Sequence, residues 1–189
     1  TWGVLSMLTL AQVYEEAGFP PGVVNVVTGS GSEVGSYLVE SPLVDMISMT
    51  GGTSTGREVL LHSAKTIKDV ALELGGKSPN IIFEDVDLER TARFALFGFT
   101  NHSGQVCVSG TRLLVQRSIY NAFLDALSKA AARLVPGDGF DPKANFNTLI
   151  SRQHAQSVWE YIEKGKQEGA RLVCGGVPYR EEHLKQGNF

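Results

Sequence analysis

Leu72-Glu73-Leu74-Gly75-Gly76-Lys77-Ser78-Pro79 closes an apolar run that begins at Asp69 and breaks it with two glycines. Such a run reads as a strand whose end is punctuated by glycine and proline. Cys107 lies 34 residues after Glu73, introduced by Ser103-Gly104-Gln105-Val106. There the chain can turn tightly and bring backbone N–H groups close to a bound atom. A lone Cys is usually a buried small hydrophobe, and a Glu before Gly-Gly is usually a solvated turn. Together, a carboxylate and a thiol are the two groups needed to form and then hydrolyse a covalent acyl intermediate.

Upstream of this stretch, residues 5–18 carry Leu8, Ala11, Val13 and Ala17 at helical spacing, stopped by Gly18 and Pro20-Pro21. Val23-Val24-Asn25-Val26-Val27 is β-branched and reads as a buried strand. A helix is expected over residues 32–40 with Ser32 as its N-cap, then a strand over residues 44–49 and a helix running to about Ala64. Residues 69–74 form the third strand. Strand and helix therefore alternate before Gly75, which indicates βαβ units and a parallel sheet. Ligands of such sheets bind beyond the carboxyl ends of the strands. Gly29, Gly31 and Gly35, and then Gly51, Gly52 and Gly56, fall there, each set at the mouth of a helix. Glycine at those points admits a phosphate, and the helix N-terminus favours its charge. Neither set is the Gly-x-Gly-x-x-Gly fingerprint or a Walker A loop, so on spacing alone a plain turn and a nucleotide site stand equally.

Downstream, residues 80–83 read as a strand, and Asp87 caps a helix with Leu88, Ala92, Ala95, Leu96 and Phe99 on one face, ended by Ser103-Gly104. Residues 111–115 form a strand, and Ser118 caps a long helix carrying Ile119, Phe123, Leu127, Ala130 and Leu134. A further helix carries Ala155, Val158 and Ile162 and ends near Gly169. Residues 171–176 read as a short strand and turn holding Cys174, a core or turn thiol.

At 189 residues, 42% hydrophobic and 20% charged, the chain has the composition of an ordinary globular protein. A net charge of −3 without a basic cluster argues against a nucleic-acid or membrane-surface partner. Two cysteines are too few for a disulfide framework and suit a reducing compartment such as the cytoplasm. No His/Cys/Asp cluster has metal-ligand spacing, so no metal is expected.

The chain resembles the aldehyde dehydrogenase superfamily over roughly residues 8–189. That family carries its active-site Glu in Leu-Glu-Leu-Gly-Gly-Lys-Ser-Pro, which matches residues 72–79 without a departure, and its nucleophile in Gly-Gln-x-Cys, here residues 104–107. The resemblance implies an α/β fold in two parts. Residues 1–75 would be the C-terminal part of a Rossmann-like, parallel-sheet NAD(P)-binding domain, and residues 76–189 the N-terminal part of the catalytic domain. By the same carry-over, Gly51, Gly52 and Gly56 lie against the cofactor pyrophosphate, Gly31 and Gly35 near its adenosine side, and Leu74 and Gly75 near the nicotinamide. The cofactor is NAD or NADP. The family's Phe-Thr-Gly-Ser-Thr reads Met49-Thr50-Gly51-Gly52-Thr53 here, which removes one hydroxyl and keeps the backbone donors.

The implied reaction oxidises an aldehyde to a carboxylic acid. Cys107 adds to the carbonyl carbon, hydride leaves for the nicotinamide, and water hydrolyses the resulting thioester. Glu73 is the general base, for the thiol or for that water. Relatives that hand the acyl group to coenzyme A lack the Glu, so its presence favours a free acid. The scheme requires Cys107 and Glu73 to face one cavity. A reactive thiolate needs a positive field from backbone amides or the nicotinamide, because no Lys or Arg lies within four residues of Cys107.

His102, five residues before Cys107, invites a Cys–His hydrolase reading, but that spacing is off-face on a helix and a surface or packing role is favoured. Lys77 is expected in a structural salt bridge. Thr100, Ser109 and Asn147-Thr148-Leu149-Ile150 depart from the family pattern and bear on the substrate funnel or a loop rather than on the nucleophile. The partner expected is a small aldehyde, with a homo-oligomer at full length. Both ends look cut, so the chain is expected to be a fragment with little activity alone. The alternative is a catalytically dead relative kept as a binding or structural module.

Overall fold

Residues 3–176 and 187–188 are described by a computed structural model. The chain divides into two compact units, Thr1–Gly75 and Gly76–Phe189.

The first unit opens with helix α1 (Val4–Glu16), closed by Gly18 at φ +83°. Its apolar residues are left uncovered: Leu8 and Val13 are exposed and nothing in α1 is buried. Val23–Val27 is not a strand, contrary to the sequence expectation, and Val23 and Val27 are exposed. A strand needs a partner for its N–H and C=O groups. Here Val23 N–H turns back to Pro20 O, and the Asn25 side chain donates to Gly22 O, contacts of a local turn rather than of a ladder. The next helix opens as a π-helical turn, Gly31–Gly35, and continues as α2 (Ser36–Glu40). Its cap is Ser30 rather than Ser32. Ser30 Oγ accepts the Glu33 N–H at 3.1 Å and donates to Glu33 Oε2 at 2.9 Å. Ser30-x-x-Glu33 has the spacing of a capping box, a signal the reading from sequence passed over.

Strand β1 (Met46–Gly51), helix α3 (Thr53–Ser63) and strand β2 (Asp69–Leu74) form one βαβ unit, with β1 and β2 parallel. Pairing to Asp69–Leu74 shifts β1 two residues beyond the expected 44–49. Val39, Gly56, Val59 and Ser63 are buried.

In the second unit β3 (Pro79–Ile82) pairs in parallel with β4 (Arg112–Val115). Asp87 caps α4 (Leu88–Thr100), its carboxylate accepting the Arg90 N–H at 2.9 Å. Helix α5 (Tyr120–Ala131) follows a 3₁₀ turn, Arg117–Ile119. Ser118 does not cap α5; its hydroxyl donates to Glu84 Oε2 at 2.6 Å and ties that turn to the end of β3. Ile82, Ala92, Ala95 and Phe123 make the core, with Leu113, Val115, Ile119 and Leu127 against it. Two small residues on α4 let α5 approach, and Phe123, 1% exposed, fills the gap. Burial of a side chain that size contributes roughly 1.5–3 kcal/mol. Helix α6 (Arg152–Gln167) is capped by Ser151 and ends at Gly169, φ +91°. Residues 171–173 form no strand: Leu172 and Val173 are half-exposed and make no ladder among the described residues.

Candidate functional site

In the first unit the register sets Thr50 beside Glu73 and Gly51 beside Leu74, at the carboxyl ends of β1 and β2. Successive side chains along a strand point to opposite faces. A Cβ on Gly56 would meet the Leu74 side chain at 2.9 Å and the Leu72 side chain at 3.4 Å. Helix α3 therefore packs on the face that carries Leu72 and Leu74, and glycine at 56 leaves the Leu74 side chain its room. Glu73 projects from the other face and is exposed.

Gly52 is the N-cap of α3, and its carbonyl accepts the Gly56 N–H at 3.0 Å. No side chain caps this end. The N–H groups of Thr53, Ser54 and Thr55 have no acceptor among the described residues. Three free donors at the positive end of a helix suit a phosphate-bearing group, so this donor set fits the pyrophosphate of a dinucleotide. At Gly31, Gly35 and Gly75 an added methyl group would meet no atom within 4 Å, so packing inside the unit does not impose glycine there.

At the other end of α3 the His62 ring hydrogen-bonds the Glu40 carboxylate and Lys65 Nζ lies 3.6 Å from it. The hydrogen bond first, and then the lysine charge, hold the Glu40 carboxyl below its ordinary value.

In the second unit α4 ends at Thr100, before the Ser103-Gly104 stop expected from sequence, with the Thr100 hydroxyl donating to Leu96 O. A 3₁₀ turn, Asn101–Gly104, follows. Within it His102, Ser103 and Gly104 are all left-handed, at φ +53°, +56° and +75°. Only glycine adopts this freely; for the other two it costs on the order of 1–2 kcal/mol each. Hydrogen bonds hold them there. Ser103 Oγ donates to Asn147 O at 2.6 Å. Gln105 Nε2 donates to His102 O at 3.2 Å, and Gln105 Oε1 accepts the Ile150 N–H at 3.0 Å. A hydrogen bond of this kind contributes about 0.5–1.5 kcal/mol.

Cys107 comes next, in a turn closed by Ser109 N–H donating to Val106 O at 3.2 Å, and it is exposed. Downstream, Gly110 N–H donates to Gly98 O on α4. The N–H groups of Cys107 and Val108 have no acceptor among the described residues. An accessible sulfur beside free amide donors can attack a carbonyl carbon and stabilise the oxyanion that results.

Cys174 is exposed at a bend, so of the core or turn position expected for it the turn remains. The salt bridge expected of Lys77 needs correction. Lys77 makes no ion pair among the described residues; its Nζ donates to Gly76 O at 2.8 Å. No hydrogen bond joins the His102 ring to Cys107 among the described residues, and it is the His102 carbonyl that the loop uses. The reading from sequence missed Gln105 and Ser103 as loop ties. Gln105 stands inside the quoted Gly-Gln-x-Cys motif, so its position was visible and its contacts were not. No group of three or more His, Cys, Asp or Glu side chains that could hold a metal ion is present among the described residues, and no described helix is long and apolar enough to cross a membrane.

A parallel α/β arrangement with a glycine-lined helix mouth and a turn-borne thiol defines a class, and comparison with known proteins gives it a name. The model of the aldehyde dehydrogenase family matches residues 1–189, so the resemblance extends further toward the N-terminus than the motifs suggested. The chain belongs to the aldehyde dehydrogenase family. A betaine aldehyde dehydrogenase from Staphylococcus aureus, solved in complex with NAD+, is 40% identical with a TM-score of 0.94, covering 97% of this chain and 36% of that one. A double mutant of that enzyme, also in complex with NAD+, gives 40% identity and a TM-score of 0.95, covering 98% of this chain and 37% of the other. The HpcC protein of Thermus thermophilus is 40% identical with a TM-score of 0.92, covering 97% and 36%. The chain thus spans little more than a third of the length of these relatives.

Proposed function

We propose that this chain supplies the nucleophile, the general base and part of the dinucleotide site of an enzyme that oxidises an aldehyde to a free carboxylic acid. Residues 1–75 are the end of the cofactor domain and residues 76–189 the beginning of the catalytic domain. The observation that carries the reading is Cys107, an exposed sulfur on a turn with two free amide donors.

Cys107 Sγ adds to the aldehyde carbon, and the oxyanion of the thiohemiacetal is held by the Cys107 N–H. NAD+ or NADP+, when bound, would supply the hydride acceptor needed to oxidise the thiohemiacetal to a thioester. The N–H groups of Thr53, Ser54 and Thr55, opened by Gly51 and Gly52, would hold its pyrophosphate, with Gly31 and Gly35 toward the adenosine and Leu74 and Gly75 toward the nicotinamide. That the Staphylococcus aureus relative is solved with NAD+ supports this choice of cofactor. Glu73 takes a proton from the water that cleaves the thioester, releasing the acid and restoring the thiol. A hydrolytic rather than acyl-transferring outcome rests on that carboxylate. Two free thiols suit a reducing compartment such as the cytoplasm. Homo-oligomerisation is carried over from the family alone.

The test is pre-steady-state kinetics on the protein carrying these residues with the rest of the family fold. Cys107→Ser lowers nicotinamide reduction on the order of a thousandfold or more. Glu73→Gln keeps the first-turnover burst and slows later turnovers by about 10²–10⁴-fold. Wild-type rates in Cys107→Ser would overturn the nucleophile assignment, and a wild type that shows neither burst nor turnover would favour a catalytically dead module.

A further inference from the structure

We infer that Gln105 is the positioning residue of the Cys107 loop, clipping it to the segment Asn147–Ile150. The inference deepens the reading of Cys107 as nucleophile and rests on it.

A single side-chain amide does two jobs here. Its oxygen accepts the Ile150 N–H and its nitrogen donates to His102 O, which also accepts the Gln105 N–H at 3.1 Å. The amide thereby joins the left-handed turn to a backbone group 45 residues away. Ser103 adds a parallel tie to Asn147 O. The far side of the clip is itself held. Asn147 Nδ2 donates to Gly137 O at 3.4 Å, and Leu149 exchanges two hydrogen bonds with Asn188, at 2.9 and 3.3 Å.

Chemistry narrows the residue that can do this. Glutamate retains the acceptor and lacks the donor, lysine retains a donor and lacks the acceptor, and leucine lacks both. Asparagine is one methylene shorter. The need for the clip comes from the backbone it holds. His102 and Ser103 sit where residues with side chains rarely sit, and such conformations persist only when their surroundings over-determine them. Released, the two residues return to negative φ and carry Cys107, a few bonds downstream, out of place. On the other side of the sulfur the chain is tied to α4 through Gly110 and Gly98, so the approach from upstream is left to Gln105, the tie nearest the sulfur, with Ser103 before it.

The experiment measures two quantities in the intact protein: alkylation of Cys107 and Cys174 by iodoacetamide, resolved by mass spectrometry, and amide exchange at Ile150. In the wild type Cys107 reacts faster than Cys174 and the Ile150 amide is protected. Gln105→Leu lowers the Cys107 rate about tenfold or more, speeds exchange at Ile150, and leaves Cys174 unchanged. Gln105→Glu restores protection at Ile150. It raises the Cys107 rate above that of Gln105→Leu without reaching the wild type, because the donor to His102 O is still missing, a partial rescue that general loosening of the fold would not give. Unchanged exchange at Ile150 in Gln105→Leu overturns the clip. A wild-type Cys107 no more reactive than Cys174 sinks the nucleophile reading, and the positioning role with it. Should Gln105→Leu fail to fold, Gln105→Glu alone decides, because loss of Ile150 protection in that variant overturns the proposal.

Discussion

Two loops have backbone N–H groups without an acceptor among the described residues, and they are built in opposite ways. At the mouth of α3, Gly51 and Gly52 open the helix end with residues that have no side chain to place there, and Gly56 seats the helix against Leu72 and Leu74. The loop before Cys107 uses two residues that carry side chains in a conformation suited to glycine, held by ties to Asn147 and Ile150. The first solution is local and depends on β1, α3 and β2 alone. The second borrows its geometry from distant sequence and from the helices behind it. Backbone freedom needs no partners, whereas backbone strain needs several.

That contrast can be broken most directly through the support of the strained loop. Phe123→Ala empties the gap between α4 and α5 and should destabilise the second unit by about 3–5 kcal/mol. Urea unfolding followed by amide exchange reads it. Exchange at the Cys107 loop should rise with that at α4, and a loop unaffected by the loss would show that it does not lean on this core. A smaller effect is expected in the first unit. Gly56→Val presses a branched side chain into Leu74 and should cost about 1–3 kcal/mol in overpacking. Retained stability in that variant, measured by the same unfolding curve, would mean that α3 does not sit as closely as the contact implies.

The smallest effect concerns the far end of α3. Glu40 titrates below its ordinary value, so its ionised form is favoured by folding. Its contribution is therefore present above the unfolded carboxylate value, about pH 4.3, and is lost as the pH falls through the folded value. Glu40→Gln should lower stability slightly at about pH 7 and by less near pH 3, compared by denaturant unfolding at both. An equal deficit at the two pH values would show that charge is not what the pair contributes.

Much of this architecture was legible in the residues. Asp87 before Leu88, Ala92, Ala95 and Leu96 announced α4, and the alternation of apolar runs with glycine-led helices announced a parallel sheet. Val23–Val27 misled, because β propensity says nothing about whether a partner strand is available. Ser118 misled as well. A hydroxyl can cap a helix or bond a carboxylate from another segment, and Glu84, in the turn after β3 and far away in sequence, decides which. The contacts of Gln105 belong to the same kind, since its acceptor and donor partners lie on either side of a long gap.

By itself, then, the amino-acid order determined the chemistry on offer: a thiol at 107, a carboxylate at 73, and glycines where helices begin. Those follow from residue identity and short spacing, which short-range sterics and hydrogen bonding translate directly. Only the tertiary structure decided that Glu73 stands on the face away from α3, that Cys107 is exposed with free amides beside it, and that a left-handed turn holds its loop. Each of these depends on partners distant along the chain, and their approach is set by packing rather than by any local preference.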